Sequence, residues 1–298
     1  METTELLKKV RKIEIKTRGL SNQIFSGEYH SAFKGRGMAF SEVREYMPGD
    51  DIRAIDWNVT ARFNHPYVKI FEEERELTVM LLVDVSASGE FGTQKQFKRE
   101  LITELCAVLS FSAIQNNDKI GVIFFSDKIE YFIPPKKGKS HILRIIRELI
   151  NYETESKGTD IAQALRYFTN VIKKRCIAFL ISDFYDDSVI QKKSKAFEEA
   201  LKIASRKHDL VSIKISDLRE KELPAVGLIR FTDAETGKTK WIDTADDSVR
   251  KNYRNYYSMR ENILNSMFTK SGIDKIELQT GSNYIQPLMN FFKRRGKR

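Results

Sequence analysis

Cysteine and histidine are scarce, with two of the former and four of the latter in the chain. Cys106 and Cys176 sit in apolar settings with no second cysteine or histidine at metal spacing. That excludes a disulfide framework and a cysteine-based zinc site and predicts buried, reduced thiols. None of His30, His65, His141 and His208 belongs to a recognisable triad, and no Gly-x-Ser-x-Gly elbow is present. Long apolar runs are missing too: the longest are strand-sized, far short of the roughly 20 residues a spanning helix needs. At the N-terminus Lys8, Lys9, Arg11, Lys12 and Lys16 alternate with Leu6, Leu7, Val10, Ile13 and Ile15, which leaves no signal-peptide core. A cytoplasmic location is the expectation. The net charge of +10 invites a nucleic-acid reading, but no helix-turn-helix, zinc finger or stacking-aromatic motif accompanies it. Much of the excess lies in the tail, on Lys293, Arg294, Arg295, Lys297 and Arg298, and elsewhere bases mix with acids, as in Glu72-Glu73-Glu74-Arg75-Glu76. No specific nucleic-acid binding is expected.

What the chain does hold is 41% hydrophobic residues, enough for a sizeable core. From Glu76 onward, strand and helix patterns alternate, which predicts an α/β fold with a doubly wound, mostly parallel sheet covered on both faces. Strands are expected over 77–84, 118–125, 129–133, 175–182 and 209–215. Helices are expected over 95–115, 140–150, 160–172 and 188–206. After Asp217 come a hairpin of 226–232 and 238–244, a helix over 248–268, a last strand over 275–279 and a final helix over 283–292. The chain divides into an N-terminal helix and extension (1–75), the α/β core (76–217) and a hairpin, helices and basic tail completing the fold (218–298). No internal repeat or low-complexity linker interrupts it.

The chemistry-bearing pattern is the apolar run Thr78-Val79-Met80-Leu81-Leu82-Val83 emptying into Asp84-Val85-Ser86-Ala87-Ser88. Alternation along an extended segment puts Asp84, Ser86 and Ser88 on one side, where a buried strand ends. Oxygen-only, hydroxyl-rich donors suit magnesium or manganese better than zinc. Two further segments can join them: Gly158-Thr159-Asp160 opening a helix, and Asp183 after the apolar run 176–182. Ligands of doubly wound sheets gather at the carboxyl ends of strands, so the predicted metal set is Asp84, Ser86, Ser88, Thr159 and Asp183. Asp160 is assigned to capping its own helix instead. Taken separately, each of these segments also reads as an ordinary turn or cap.

Upstream, 1–25 reads as an amphipathic helix and 26–76 as short extended pieces. Pro48-Gly49-Asp50-Asp51 is a turn, and Asp50 or Asp51 caps a short helix running through Ile55. Arg44, Arg53 and Arg62 with Asp50, Asp51 and Asp56 are read as ion pairs fastening the segment, and Trp57 and Tyr46 as filling a small satellite core. Gly35-Arg36-Gly37 lacks the helix start and lysine of a nucleotide-binding loop.

On these residues, 76 to about 215 resemble a von Willebrand factor A domain, whose metal-ion-dependent adhesion site Asp84-x-Ser86-x-Ser88, Thr159 and Asp183 match. Gly35-Arg36-Gly37, Phe40, Val43-Arg44-Glu45-Tyr46, Pro48-Gly49-Asp50-Asp51, Arg53-Ala54-Ile55-Asp56-Trp57, Ala61-Arg62 and Tyr67-Val68-Lys69 resemble the signature of the domain-of-unknown-function 58 family. The resemblance implies a partner-binding adaptor that works beside a MoxR-type AAA+ ATPase in protein maturation or remodelling. The membrane helices carried by relatives have no counterpart here. A small residue often follows the last aspartate of such a site, whereas this chain has Phe184. The function expected is therefore metal-dependent, non-enzymatic capture of a protein partner that donates a carboxylate to magnesium or manganese. Two rivals stand beside it: a metal-dependent hydrolase or phosphatase using Ser86 or a metal-bound water, and an electrostatic binder of membrane or nucleic acid through the basic tail.

Overall fold

The computed structural model describes residues 39–72, 77–92, 97–154, 156, 158–185, 194–232, 237 and 239–296. The helix expected over 1–25, the Gly35-Arg36-Gly37 segment, the first residues of the helices expected from 95 and 188, the hairpin turn at 233–236, and Lys297 and Arg298 lie outside the described residues.

The first apolar run forms β3 (Thr78–Asp84), buried from Val79 to Asp84. It follows an N-terminal hairpin of β1 (Ala39–Glu45) and β2 (Tyr67–Glu72), with helix α1 (Trp57–Phe63) between them. Then come α2 (Lys98–Gln115), β4 (Lys119–Phe125), β5 (Ile129–Lys136), α3 (Lys139–Asn151), α4 (Ile161–Val171) and β6 (Ile177–Ser182). The chain continues through α5 (Ser194–Lys207), β7 (Asp209–Ser216), the short α6 (Leu218–Lys221) and the hairpin β8 (Leu228–Thr232) with β9 (Thr239–Asp243). It closes with α7 (Asp247–Ser271), β10 (Asp274–Gln279) and α8 (Ile285–Gly296).

The main sheet has six strands in the order β10-β7-β6-β3-β4-β5. All neighbours are parallel except β4 and β5. Side chains alternate across β3 and divide the core. Val79, Leu81 and Val83 pack with α2, α3 and α8, and Met80 and Leu82 with α4, α5 and α7. A strand clad on both faces has no polar side, which is why this run is continuous rather than alternating. Because β3 has β4 on one side and β6 on the other, the strand order reverses between β3 and β6, and a crevice opens at their carboxyl ends.

Strand β5 runs past the expected end at 133, through Pro134 and Pro135. Its place at the edge of the sheet tolerates prolines that a central strand would refuse. The register slips between Ile120 and Val122 opposite them, and Gly121 lies beneath. A Cβ there would meet Ile133 O, Met80 Sδ and Pro135 N, each at 2.8 Å. The thioether can move, but the backbone atoms cannot. Gly121→Ala should therefore lose about 1–3 kcal/mol of stability, read as a lower urea midpoint at unchanged slope.

The N-terminal segment departs from its expected packing. Trp57 is 67% exposed and Tyr46 only half-buried, and among the residues described from 43 to 69 only Val68 is buried, so no satellite core forms around them. Asp56 caps α1 by accepting from Asn58 N and Val59 N, which leaves the first helical side chain, Trp57, on the outer surface. The ion pairs are fewer than expected. Arg44 grips Asp50 at 2.7 Å and Asp56 lies 3.4 Å from Lys69, while Arg53 and Arg62 pair with no carboxylate among the described residues. Asp51 caps a single turn of 3-10 helix, Ile52–Ala54.

Candidate functional site

The crevice holds the oxygens of Asp84, Ser86 and Ser88, but not through strand alternation: β3 ends at Asp84, and Ser86 precedes a 3-10 turn, Ala87–Glu90, that carries Ser88. Asp84 ends β3, its Oδ1 accepting from Ser86 N at 3.0 Å and its Oδ2 from Ser182 Oγ at 2.6 Å. Those bonds fix the carboxylate across the β3–β6 boundary and leave further lone pairs free. Ser86 Oγ lies 3.0 Å from Ser88 Oγ, and Ser88 is near enough to Asp183 to favour its ionised form. Asp183, one residue beyond β6, accepts from Tyr185 N at 3.0 Å. Asp84, Ser86 and Ser88 are thus linked by hydrogen bonds, and Asp183 stands close enough for its charge to act on Asp84.

Thr159 is placed differently. Its loop is pinned to the end of β4 by Asp160 N donating to Ser126 O at 2.9 Å, and Asp160 caps α4 by accepting from Gln163 N at 2.8 Å. Thr159 therefore stands at the strand next to β3.

Asp84 and Asp183 are each 5% exposed. Burial, then the charge of Asp183, pushes Asp84 up to about 6. Burial also works against ionisation of Asp183, but the adjacent Lys98 ammonium outweighs it and holds this carboxyl below its ordinary value. Two carboxylates and two hydroxyls facing one another at low dielectric form a hard-donor set that fits a divalent cation. Asp84, Ser86, Ser88 and Asp183 are the residues that could hold one.

Lys98 was missed in the sequence. It is the first residue of α2, 1% exposed, with Nζ 2.7 Å from Asp183 Oδ2 and paired also with Glu220 of α6. Burial lowers its proton affinity, yet Asp183 and Glu220 more than reverse that and hold the ammonium charged. Periodicity offered a signal: Lys98 lies three and seven residues before Leu101 and Leu105, in phase with the buried stripe of α2. Glu220 was signalled as well, because Asp217-x-x-Glu220 is a capping-box pattern and forms one.

The loop after Asp183 is fastened from outside the sheet. Phe184 has φ +58°, a left-handed conformation uncommon for a bulky side chain. Its ring is 2% exposed and meets Phe268 of α7 edge-on at 5.3 Å. Arg260 of α7 donates to Phe184 O at 3.3 Å and lies 4.1 Å from the centre of the Tyr185 ring. On the opposite flank a cavity of about 220 Å³ opens beside Asp84 and Ser86, walled by Arg99, Thr103, Leu149 and Glu153 among others.

Likeness to known proteins is broad in sequence and distant in structure. Uncharacterized protein Rv1480 of Mycobacterium tuberculosis is 27% identical over 300 residues, spanning 99% of this chain and 92% of its own. The SpRpn10 VWA domain superposes with a TM-score of 0.39 at 10% identity, covering 72% of this chain and 94% of that one. Mussel byssus proximal thread matrix protein 1, solved with a zinc-occupied MIDAS motif, gives 0.37 at 15% identity over 47% of this chain and 38% of its own. Residues 42–262 match the family described as "Protein of unknown function DUF58", and the chain belongs to that family.

Proposed function

We propose that this protein is a divalent-metal-dependent protein-binding module. The observation that carries this reading is the convergence of Asp84, Ser86, Ser88 and Asp183 at the carboxyl ends of β3 and β6. These residues would hold magnesium or manganese, with Thr159 at the neighbouring loop as a further donor. A bound ion would supply an electrophilic position for an incoming carboxylate oxygen. Ser182 and the Ser86 amide orient Asp84, and the Tyr185 amide orients Asp183, so the protein fixes its donors in advance. The cavity beside Asp84 gives an acidic side chain of a partner room to approach. On the family resemblance, a MoxR-type AAA+ ATPase is the first partner to test.

Asp84→Asn keeps the shape of the carboxylate while removing its charge. Titration calorimetry should show magnesium affinity falling by at least about tenfold, since even indirect partners of a metal commonly contribute that much. Capture of the ATPase should fall with it and should also be lost in chelator. Capture indifferent to both chelator and Asp84→Asn would end the adaptor reading, and Asp84-dependent turnover of phosphate or ester substrates would replace it with a hydrolase.

A further inference from the structure

We propose that Lys98 is a tethered internal cation that competes with a divalent ion for Asp183, and that Glu220 is the seat to which its ammonium withdraws when the ion binds. The proposal rests on the metal-binding reading above and assigns that site its regulation.

Lys98 Nζ bridges two carboxylates carried by different elements. Asp183 follows β6, and Glu220 belongs to α6. The ammonium also lies 5.6 Å from the centre of the Phe91 ring, so its position is lined by groups that favour a cation. Glu220 is already anchored, its Oε2 accepting from Asp217 N at 2.8 Å while Oε1 faces Lys98. It can take the whole ammonium without changing its own posture. Asp183 is the residue that both cations need, because its Oδ2 faces Lys98 while its carboxylate lies beside Ser88 and Asp84 of the donor set. An ammonium and a divalent ion on one buried carboxylate repel each other at low dielectric.

Charge bookkeeping points the same way. Asp183 and Glu220 share the one ammonium of Lys98, Asp84 adds a third carboxylate beside Asp183, and Lys214 acts on Asp183 and Glu220 from farther off, so a divalent ion would offset surplus negative charge. Lys98 therefore need not leave the protein interior when the metal arrives; it needs only to relinquish Asp183.

Calorimetric titration of the full chain with magnesium, in four variants, tests this. Lys98→Met should raise affinity by about tenfold or more, and Glu220→Gln, which leaves the ammonium only Asp183, should lower it by a similar factor. The deciding variant is the double substitution Lys98→Met with Glu220→Gln. If the two residues acted only through independent fields, their effects would cancel and affinity would return to wild type. If Glu220 acts through Lys98, the double variant keeps the gain of Lys98→Met. Because the double variant removes one charge of each sign, it also protects the experiment against misfolding of Lys98→Met. Cancellation in the double variant, or unchanged affinity in all of these while Asp84→Asn abolishes uptake, overturns the competition and leaves the metal site standing. No Asp84-dependent uptake in any variant overturns both.

Discussion

A Phe184→Ala variant should unfold about 3–5 kcal/mol more easily than the wild-type protein, the range for emptying a buried aromatic site. The ring is 2% exposed and meets Phe268 at an interplanar angle of 81°, an edge-to-face geometry that contributes beyond area alone. Alanine removes this contact and keeps the left-handed backbone that disfavours any side chain with a Cβ. Glycine occupies that region without penalty, so Phe184→Gly should recover up to about 1 kcal/mol relative to alanine. Urea unfolding of the three proteins measures both steps. Alanine more stable than glycine would mean that the positive φ is not retained once the ring is gone. The effect should reach the site as well, since Asp183 is the residue before Phe184, whose ring and carbonyl are held from α7.

Acidification should cost the protein about 3 kcal/mol between pH 6.5 and pH 4 through His208 alone. The imidazole is fully buried, 3.3 Å from Cys176 Sγ through Nδ1 and 4.4 Å from Phe168, and its Nε2 has no hydrogen-bond partner among the described residues. Burial, helped by Lys207 and Arg175, pulls it from 6.5 down to about 4. Below pH 6.5 the unfolded chain takes up a proton that the folded chain refuses, so stability falls as pH falls and this loss levels off below pH 4. Above pH 6.5 both states are neutral and the residue adds no slope. His208→Phe should flatten this part of the acid limb, so that its stability relative to wild type improves steadily from pH 6.5 to pH 4. Parallel wild-type and variant curves over that interval would show that the imidazole is protonated inside the fold. The neighbouring thiol is raised to about 12, chiefly by burial. This Cys–His pair is therefore neutral on both sides, the opposite of what a nucleophile requires.

Much of the architecture was legible because burial on both sheet faces leaves continuous apolar runs, and β3, β4, β6 and β7 fall within two residues of their expected limits. The local environment of Asp84, Ser86, Ser88 and Asp183 was less accessible. Spacing singled out Ser86 and Ser88, but a 3-10 turn rather than strand alternation brings their hydroxyls together, and spacing cannot show that the companion carboxylate already holds a buried ammonium. Lysine at a helix start ordinarily reads as solvated, and only its phase with Leu101 and Leu105 argues otherwise. Trp57 failed in the opposite sense: a large aromatic was read as core, whereas helix α1 presents it to solvent. For Phe184, the sequence marked an unusual residue at the turn, but its left-handed backbone and its contact with Phe268, a residue far along the chain, emerge only in three dimensions.

Pro134 and Pro135 carry a further consequence. Neither has an amide hydrogen, so the outermost strand on that side offers an interrupted row of donors, followed directly by Lys136 and Lys137. Another chain seeking to extend the ladder there meets gaps and positive charge. Strand-to-strand annealing at this edge, which would lead toward fibres, is thereby disfavoured.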